Sequence, residues 1–146
     1  MVQIKTGNLL KSNTEVIGHQ TTCKGIVGGL AGLIFKTFPE CWAPYLQCCR
    51  INRPLGKTQL LKCNDGRILA NIFGQYEAGA ATNYRCILSG LKDLRKQMES
   101  LHLKSLSLPY GMGAGIGGGD WNTVYGLIEQ VFGLSSIEVT LCKLEN

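Results

Sequence analysis

The residues from Gly111 to Gly119 read Gly-Met-Gly-Ala-Gly-Ile-Gly-Gly-Gly, and they are followed by Asp120 and Trp121. They lie between an apolar stretch, Leu106–Leu108, and a segment of helical periodicity, Trp121–Phe132. Glycine adopts positive φ at no steric cost, so consecutive N–H groups can point into one concavity. A helix that starts beside such a turn adds unpaired N–H groups and a positive dipole end. The chemistry expected is binding of an anion, phosphate above all. A tight turn chosen only for close packing is the other reading of the same residues.

Further residues could act on a bound phosphate ester or glycoside. His19 is a candidate general acid or base, because an ordinary imidazole titrates near neutral pH. Asp120 is a second catalytic candidate, although Asp before a helix is also a favoured N-cap. Gln75 could orient a bound water. Cys23, Cys41, Cys48, Cys49, Cys63, Cys86 and Cys142 are odd in number and irregular in spacing, with no C-x-x-C pair and only two histidines in the chain. No zinc or other metal site and no cofactor is expected from that pattern. The run Gly113–Gly118 formally matches G-x-G-x-x-G, with Glu138 about 20 residues on, as in dinucleotide folds. Eight residues follow Glu138, too few for the remaining strands of such a fold. No Gly-Lys-Ser/Thr ends the turn, which excludes a Walker loop.

Elements that would position these residues follow from apolar periodicity. Strands are expected at Val2–Lys5, Val16–His19, Gln59–Cys63, Arg67–Phe73, Leu106–Leu108 and Ile137–Leu141. The polar run Gln20–Gly25 is expected to leave the second strand as a loop. Helices are expected at Leu30–Phe38, with Leu30, Leu33, Ile34 and Phe38 inward, and at Cys41–Cys49. Further helices are expected at Asn83–Leu101, with Ile87, Leu88, Leu91, Leu94 and Met98 inward, and at Trp121–Phe132, with Val124, Leu127, Ile128, Val131 and Phe132 inward. Asn64-Asp65-Gly66 between two strands predicts a hairpin. Strands alternating with helices in the second half require crossovers. The fold class expected is α/β, a three-layer α/β/α sandwich with a mixed central sheet.

The chain has 146 residues, 45% hydrophobic and 17% charged, with a formal charge of +5. That length favours one domain, residues 1–146, able to bury a core without crosslinks. The basic residues are scattered. The densest group, Lys92, Arg95 and Lys96, is interleaved with Asp93 and Glu99, as on a solvated helix face. Nucleic acid is therefore not an expected partner, and no apolar run has the roughly 18 residues of a membrane span. The cysteine usage and the absence of a signal peptide suggest a cytoplasmic protein, and a monomer is expected.

The glycine turn closely resembles the second ligand loop of macrodomains, in which a strand ending in Pro is followed by a Gly-x-Gly-Ile turn and an Asp-Trp helix start. Lys5–Leu10 resembles their opening segment, Ile17–Ala31 their first ligand loop, Asn71–Gln75 the end of the central strand and Val139–Cys142 the last strand. These pieces span nearly the whole chain in family order. The flavour is that of the branch with the terminal ADP-ribose protein-glutamate hydrolase and the yeast ADP-ribose-1″-phosphate phosphatase.

The resemblance implies a site for ADP-ribose or a derivative. Asn8 would accept from the adenine amino group and Leu9 would line the adenine pocket. Gly25, Ile26, Val27, Gly28 and Gly29 would wrap the distal ribose and phosphate, beside Gln20 and Thr22. Gly113, Ala114, Gly115 and Ile116 would donate N–H groups to the diphosphate, and His19 matches a histidine implicated in the phosphatase. The pattern departs from the family at several places. The first loop is one residue shorter, Thr22 stands for a frequent Asn and Cys142 for a frequent Tyr. Gly74 and Gly117 stand for the hydrolase's nucleophilic Lys and its Asp, so Lys-adduct chemistry is not expected. The expected function is binding and hydrolysis of an ADP-ribose derivative, ADP-ribose-1″-phosphate or an ADP-ribosylated protein. A non-catalytic binding or sequestering module is the alternative.

Overall fold

A computed structural model describes residues 1–144. Six strands form one sheet: β1 (Val2–Thr6), β2 (Val16–Thr22), β3 (Thr58–Lys62), β4 (Ile68–Gln75), β5 (Ser105–Pro109) and β6 (Glu138–Lys143). Their order is β1-β6-β5-β2-β4-β3. Every pairing is parallel except β3 with β4. The four α-helices are α1 (Gly29–Thr37), α2 (Trp42–Ile51), α3 (Tyr84–Ser100) and α4 (Trp121–Phe132).

The helices cover both faces of the sheet, each over its own core. One core packs Ile87, Leu91, Leu94 and Met98 of α3 and Val124, Ile128, Val131 and Phe132 of α4 on Ala70, Ile72, Leu106, Leu108, Val139 and Leu141. The other packs Ile34 and Phe35 of α1 and Tyr45 and Cys48 of α2 on Ile17, Leu69 and Phe73. Successive strand residues point to opposite faces, so β2 and β4 feed both cores and read as nearly continuous apolar runs. The expected α/β/α sandwich with a mixed sheet is the observed one. No described helix is long and apolar enough to cross a membrane.

Most differences from expectation have local causes. β2 runs on through Thr22, because Gln20 and Thr22 still pair with Ile72 and Gln75 of β4 across an irregularity. In α1 the inward residue is Phe35, whereas Leu33 is exposed. In α3 Leu88 is only half-buried. Gly90 takes the buried position, and a Cβ there would lie 2.9 Å from Ile72 Cγ2. Asn83 lies outside α3 as its N-cap, accepting from the Cys86 N–H. Two short 3-10 turns, Leu9–Lys11 and Pro39–Cys41, had no signal in the apolar spacing. Pro39 ends α1 as expected, but it also opens the second of these turns. The Asn64-Asp65-Gly66 hairpin forms, with Gly66 at φ 92° and Cys63 N–H bonded to Arg67 O.

Candidate ligand-binding cleft

β2 leads into α1 and α2 on one face of the sheet, whereas its neighbours β4 and β5 lead into α3 and α4 on the other. Such a switch point opens a crevice at the carboxyl ends of the strands. A cleft of about 500 Å³ lies there. Its floor is the end of β2, His19–Thr22, with Gln75 of β4 and Pro109 of β5. One wall is Ile26–Ala31 at the start of α1, and the other is the turn from Tyr110 to Gly117. No Asp, Glu, Lys or Arg is among the lining residues.

The second turn is built from within. Ala114 N–H bonds Gly111 O, Gly118 N–H bonds Gly115 O and Gly119 N–H bonds Gly113 O. Among the described residues, the N–H groups of Gly113, Gly115, Ile116 and Gly117 have no partner. Gly113 sits at φ 78°, a conformation costly to residues with a Cβ. Opposite, the N-cap of α1 is Gly28, which has no side chain to cap the helix, so its first N–H groups are unspent. Ile116 reaches across the mouth to Gly29, where a Cβ would lie 3.2 Å from its Cδ1.

A side-chain network ties the floor to the second turn. Gln20 Nε2 donates to Gln75 Oε1 at 2.6 Å and to Thr82 Oγ1 at 2.9 Å. Thr82 Oγ1 donates to Gly113 O, and Gln75 Nε2 donates to Glu77 O and Gly79 O. Gln20 Oε1 is left buried without a partner. Thr82 was invisible in the sequence, because it follows β4 in a stretch without periodicity. Tyr110, Ala78, Gly79 and Ala31 also line the cleft unforeseen.

His19 is buried beneath Phe35, with ring centroids 5.8 Å apart. Its Nε2 lies 2.6 Å from Asn71 Oδ1. Asn71 Nδ2 donates to Gln59 Oε1, and Gln59 Nε2 donates to the Pro44 carbonyl. A carbonyl can only accept, so the direction of the whole chain is set. His19 Nε2 carries the hydrogen, and Nδ1 is a buried, unpartnered acceptor. Burial lowers the imidazole pKa from 6.5 to about 4, against a smaller opposing effect of the Asn71 bond. The expected near-neutral titration is therefore corrected. His19 is neutral at physiological pH and can accept a hydrogen bond there, but it cannot serve as an imidazolium acid.

Several other expected site residues stand elsewhere. Asp120 is exposed and caps α4, accepting from Thr123 N–H at 3.0 Å and its hydroxyl at 2.8 Å; it does not line the cleft. Asn8 caps the 3-10 turn through Leu10 N–H, and Leu9 is buried in the α1–α2 core. Neither lines the cleft. Ala114 spends its N–H inside the turn, and Gly25 packs toward Leu46 instead. Thr22 is on the floor, but its hydroxyl donates to Ile26 O and so holds the first turn. His19, Gln20, Thr22, Ile26, Val27, Gly28, Gly29, Gln75, Gly113, Gly115 and Ile116 do meet around one cleft. Gly74 is required by packing, since a Cβ there would lie 2.7 Å from Gln20 Oε1 and 2.8 Å from Ile87 Cγ1. At Gly117 a Cβ would run into Thr82 Oγ1.

No family model matches the chain. A DNA ADP-ribosyl glycohydrolase of Mycobacterium tuberculosis is 29% identical over 129 residues, 85% of this chain but only 36% of that protein's length. The macrodomain of Thermus aquaticus DarG superposes with a TM-score of 0.85 at 25% identity, covering 100% of this chain and 99% of that one. Thermosipho africanus DarTG in complex with ADP-ribose gives a TM-score of 0.83 at 21% identity, covering 95% of this chain and 40% of that one. With this sheet order, these two layers of helices and this likeness along its whole length, the chain has the macrodomain fold.

Proposed function

We propose that the cleft binds ADP-ribose, free or as an ADP-ribosyl group. The observation that carries this reading is a pair of N–H-bearing turns that face each other over an uncharged floor. The diphosphate is expected on the free N–H groups of Gly113, Gly115, Ile116 and Gly117, facing the uncapped start of α1. The distal ribose then lies over Gln20, Thr22 and Gln75, with His19 Nδ1 offered to a ribose hydroxyl or a water. The solved relative with ADP-ribose and the glycohydrolase relatives support this ligand class.

The reaction we propose is hydrolysis of an ADP-ribosyl bond. The relatives' name makes DNA a candidate carrier alongside protein, although the sequence pointed away from nucleic acid. ADP-ribose-1″-phosphate is the third candidate substrate. His19 would position the attacking water through Nδ1, and the turn N–H groups would stabilise charge on the diphosphate. A non-catalytic reading is favoured by one observation: no carboxylate or lysine lines the cleft. Calorimetry with ADP-ribose, AMP and NAD tests binding first. ADP-ribose held at least tenfold more tightly than AMP supports the reading, and no binding of ADP-ribose overturns it. Turnover of ADP-ribosylated DNA, ADP-ribosylated protein and ADP-ribose-1″-phosphate, compared with His19→Ala, then separates the enzyme from the binding module.

A further inference from the structure

A second cluster lies away from the cleft, where the 3-10 turn before α2 meets the β3–β4 hairpin. Cys41 and Cys63, 22 residues apart in sequence, bring their Sγ atoms to 3.7 Å. Both are buried, at 1% and 4% exposure. Glu40 stands beside them, half-buried, and the ligand atoms of all three lie within 4.8 Å of one another. Glu40 Oε2 accepts the Asn64 N–H at 2.8 Å, which holds the carboxylate against the hairpin. Cys63 is fixed by its N–H to Arg67 O and by Gly66 N–H to its carbonyl, and Cys41 by its N–H to Phe38 O.

We propose that Glu40, Cys41 and Cys63 form a binding site for a thiophilic divalent cation of the zinc type, with water as fourth ligand. Two thiolates bound to tetrahedral zinc at about 2.3 Å lie about 3.8 Å apart. The observed separation of 3.7 Å therefore accepts the ion without moving either sulfur. A disulfide would need the sulfurs at about 2.05 Å, roughly 1.6 Å closer than they stand. Softness of the ligands selects zinc over magnesium or calcium. Each thiol releases its proton to solvent as the ion binds. The ion would link the α1–α2 layer to the hairpin at the β3 edge of the sheet. The site shares no residue with the cleft and does not depend on its ligand.

Reduced, metal-stripped protein titrated with Co²⁺ tests the site. A thiolate-to-cobalt charge-transfer band and strong tetrahedral visible bands should saturate at one equivalent and bleach on adding Zn²⁺. Cys41→Ser and Cys63→Ser should abolish the charge-transfer band. Cys86→Ser should keep it, and Glu40→Gln should weaken cobalt affinity at least tenfold. The proposal is overturned by wild-type protein that gives no charge-transfer band, a result that stands even if a variant fails to fold. It is equally overturned by a band that survives in both serine variants, or by a Cys41–Cys63 disulfide in protein that shows no band after reduction.

Discussion

The two turns that face each other across the cleft are held very differently. The turn from Gly111 to Gly119 is bonded to itself three times, and Thr82 clamps it from outside, with its N–H on Gly117 O at 3.1 Å and its hydroxyl on Gly113 O at 2.8 Å. The turn from Gly25 to Gly29 is held by the Thr22 hydroxyl on Ile26 O and begins α1 without a cap. Donors already fixed in place bind an anion without a further ordering cost, whereas a loose turn must lose freedom to close. The second turn is thus the preformed half of the cleft and the first turn the adaptable half.

The largest effect is expected at the floor that both turns share. His19 has a folded pKa of about 4, below its ordinary 6.5, so the unfolded chain binds more protons between those values. The stability contributed by neutral His19 is complete above pH 6.5 and lost as pH falls toward 4, by up to about 3 kcal/mol. Denaturant melts across that range should show the loss in the wild type and a flatter profile in His19→Gln. Equal slopes would mean that the imidazole is not buried neutral. Next comes Gly117→Ala, whose Cβ would meet Thr82 Oγ1 and lie 2.9 Å from Gly113 O. About 2 kcal/mol of stability and most ADP-ribose affinity should go with it. Unimpaired binding would break the claim that the second turn is rigid.

Thr82→Val is a milder probe of the same clamp. It leaves Gln20 Nε2 with only its bond to Gln75 and Gly113 O with only that from Gly119, for an expected loss of about 1 kcal/mol. ADP-ribose titration should show weaker binding with the fold kept. The smallest effect is expected at Gly28→Ala in the first turn. A Cβ there meets nothing within 4 Å and φ is −149°, so melting should shift by less than about 0.5 kcal/mol. A large loss at Gly28 would erase the difference between the turns.

Much of the fold was legible. Trp121–Phe132 is helical at the expected bounds, and all six strands were anticipated within a few residues. The glycine run was legible as a turn, because nothing else accommodates so many small residues between a strand and a helix. Which of its N–H groups are free was not legible, and Ala114 shows why: its donor is consumed by a bond to Gly111 that depends on the turn's own path. Asp120 had two readings from one position in sequence, and the helix took it as a cap. Asn8, expected only as an acceptor for adenine, caps the smaller 3-10 turn.

Apolar periodicity, the Asp-Gly hairpin and the glycine turn are local properties, and they were enough to determine an α/β chain with a glycine-rich turn between a strand and a helix. The tertiary structure decided what those local rules cannot reach. It placed Asn71, Gln59 and the Pro44 carbonyl in a line behind His19, and that line sets which imidazole nitrogen holds the hydrogen. It also joined Cys41 to Cys63, whose spacing carries no metal-ligand pattern. Both outcomes depend on atoms brought within about 4 Å from distant parts of the chain. Burial then decides protonation and available ligands, because charge and unmade hydrogen bonds cost most where water is excluded.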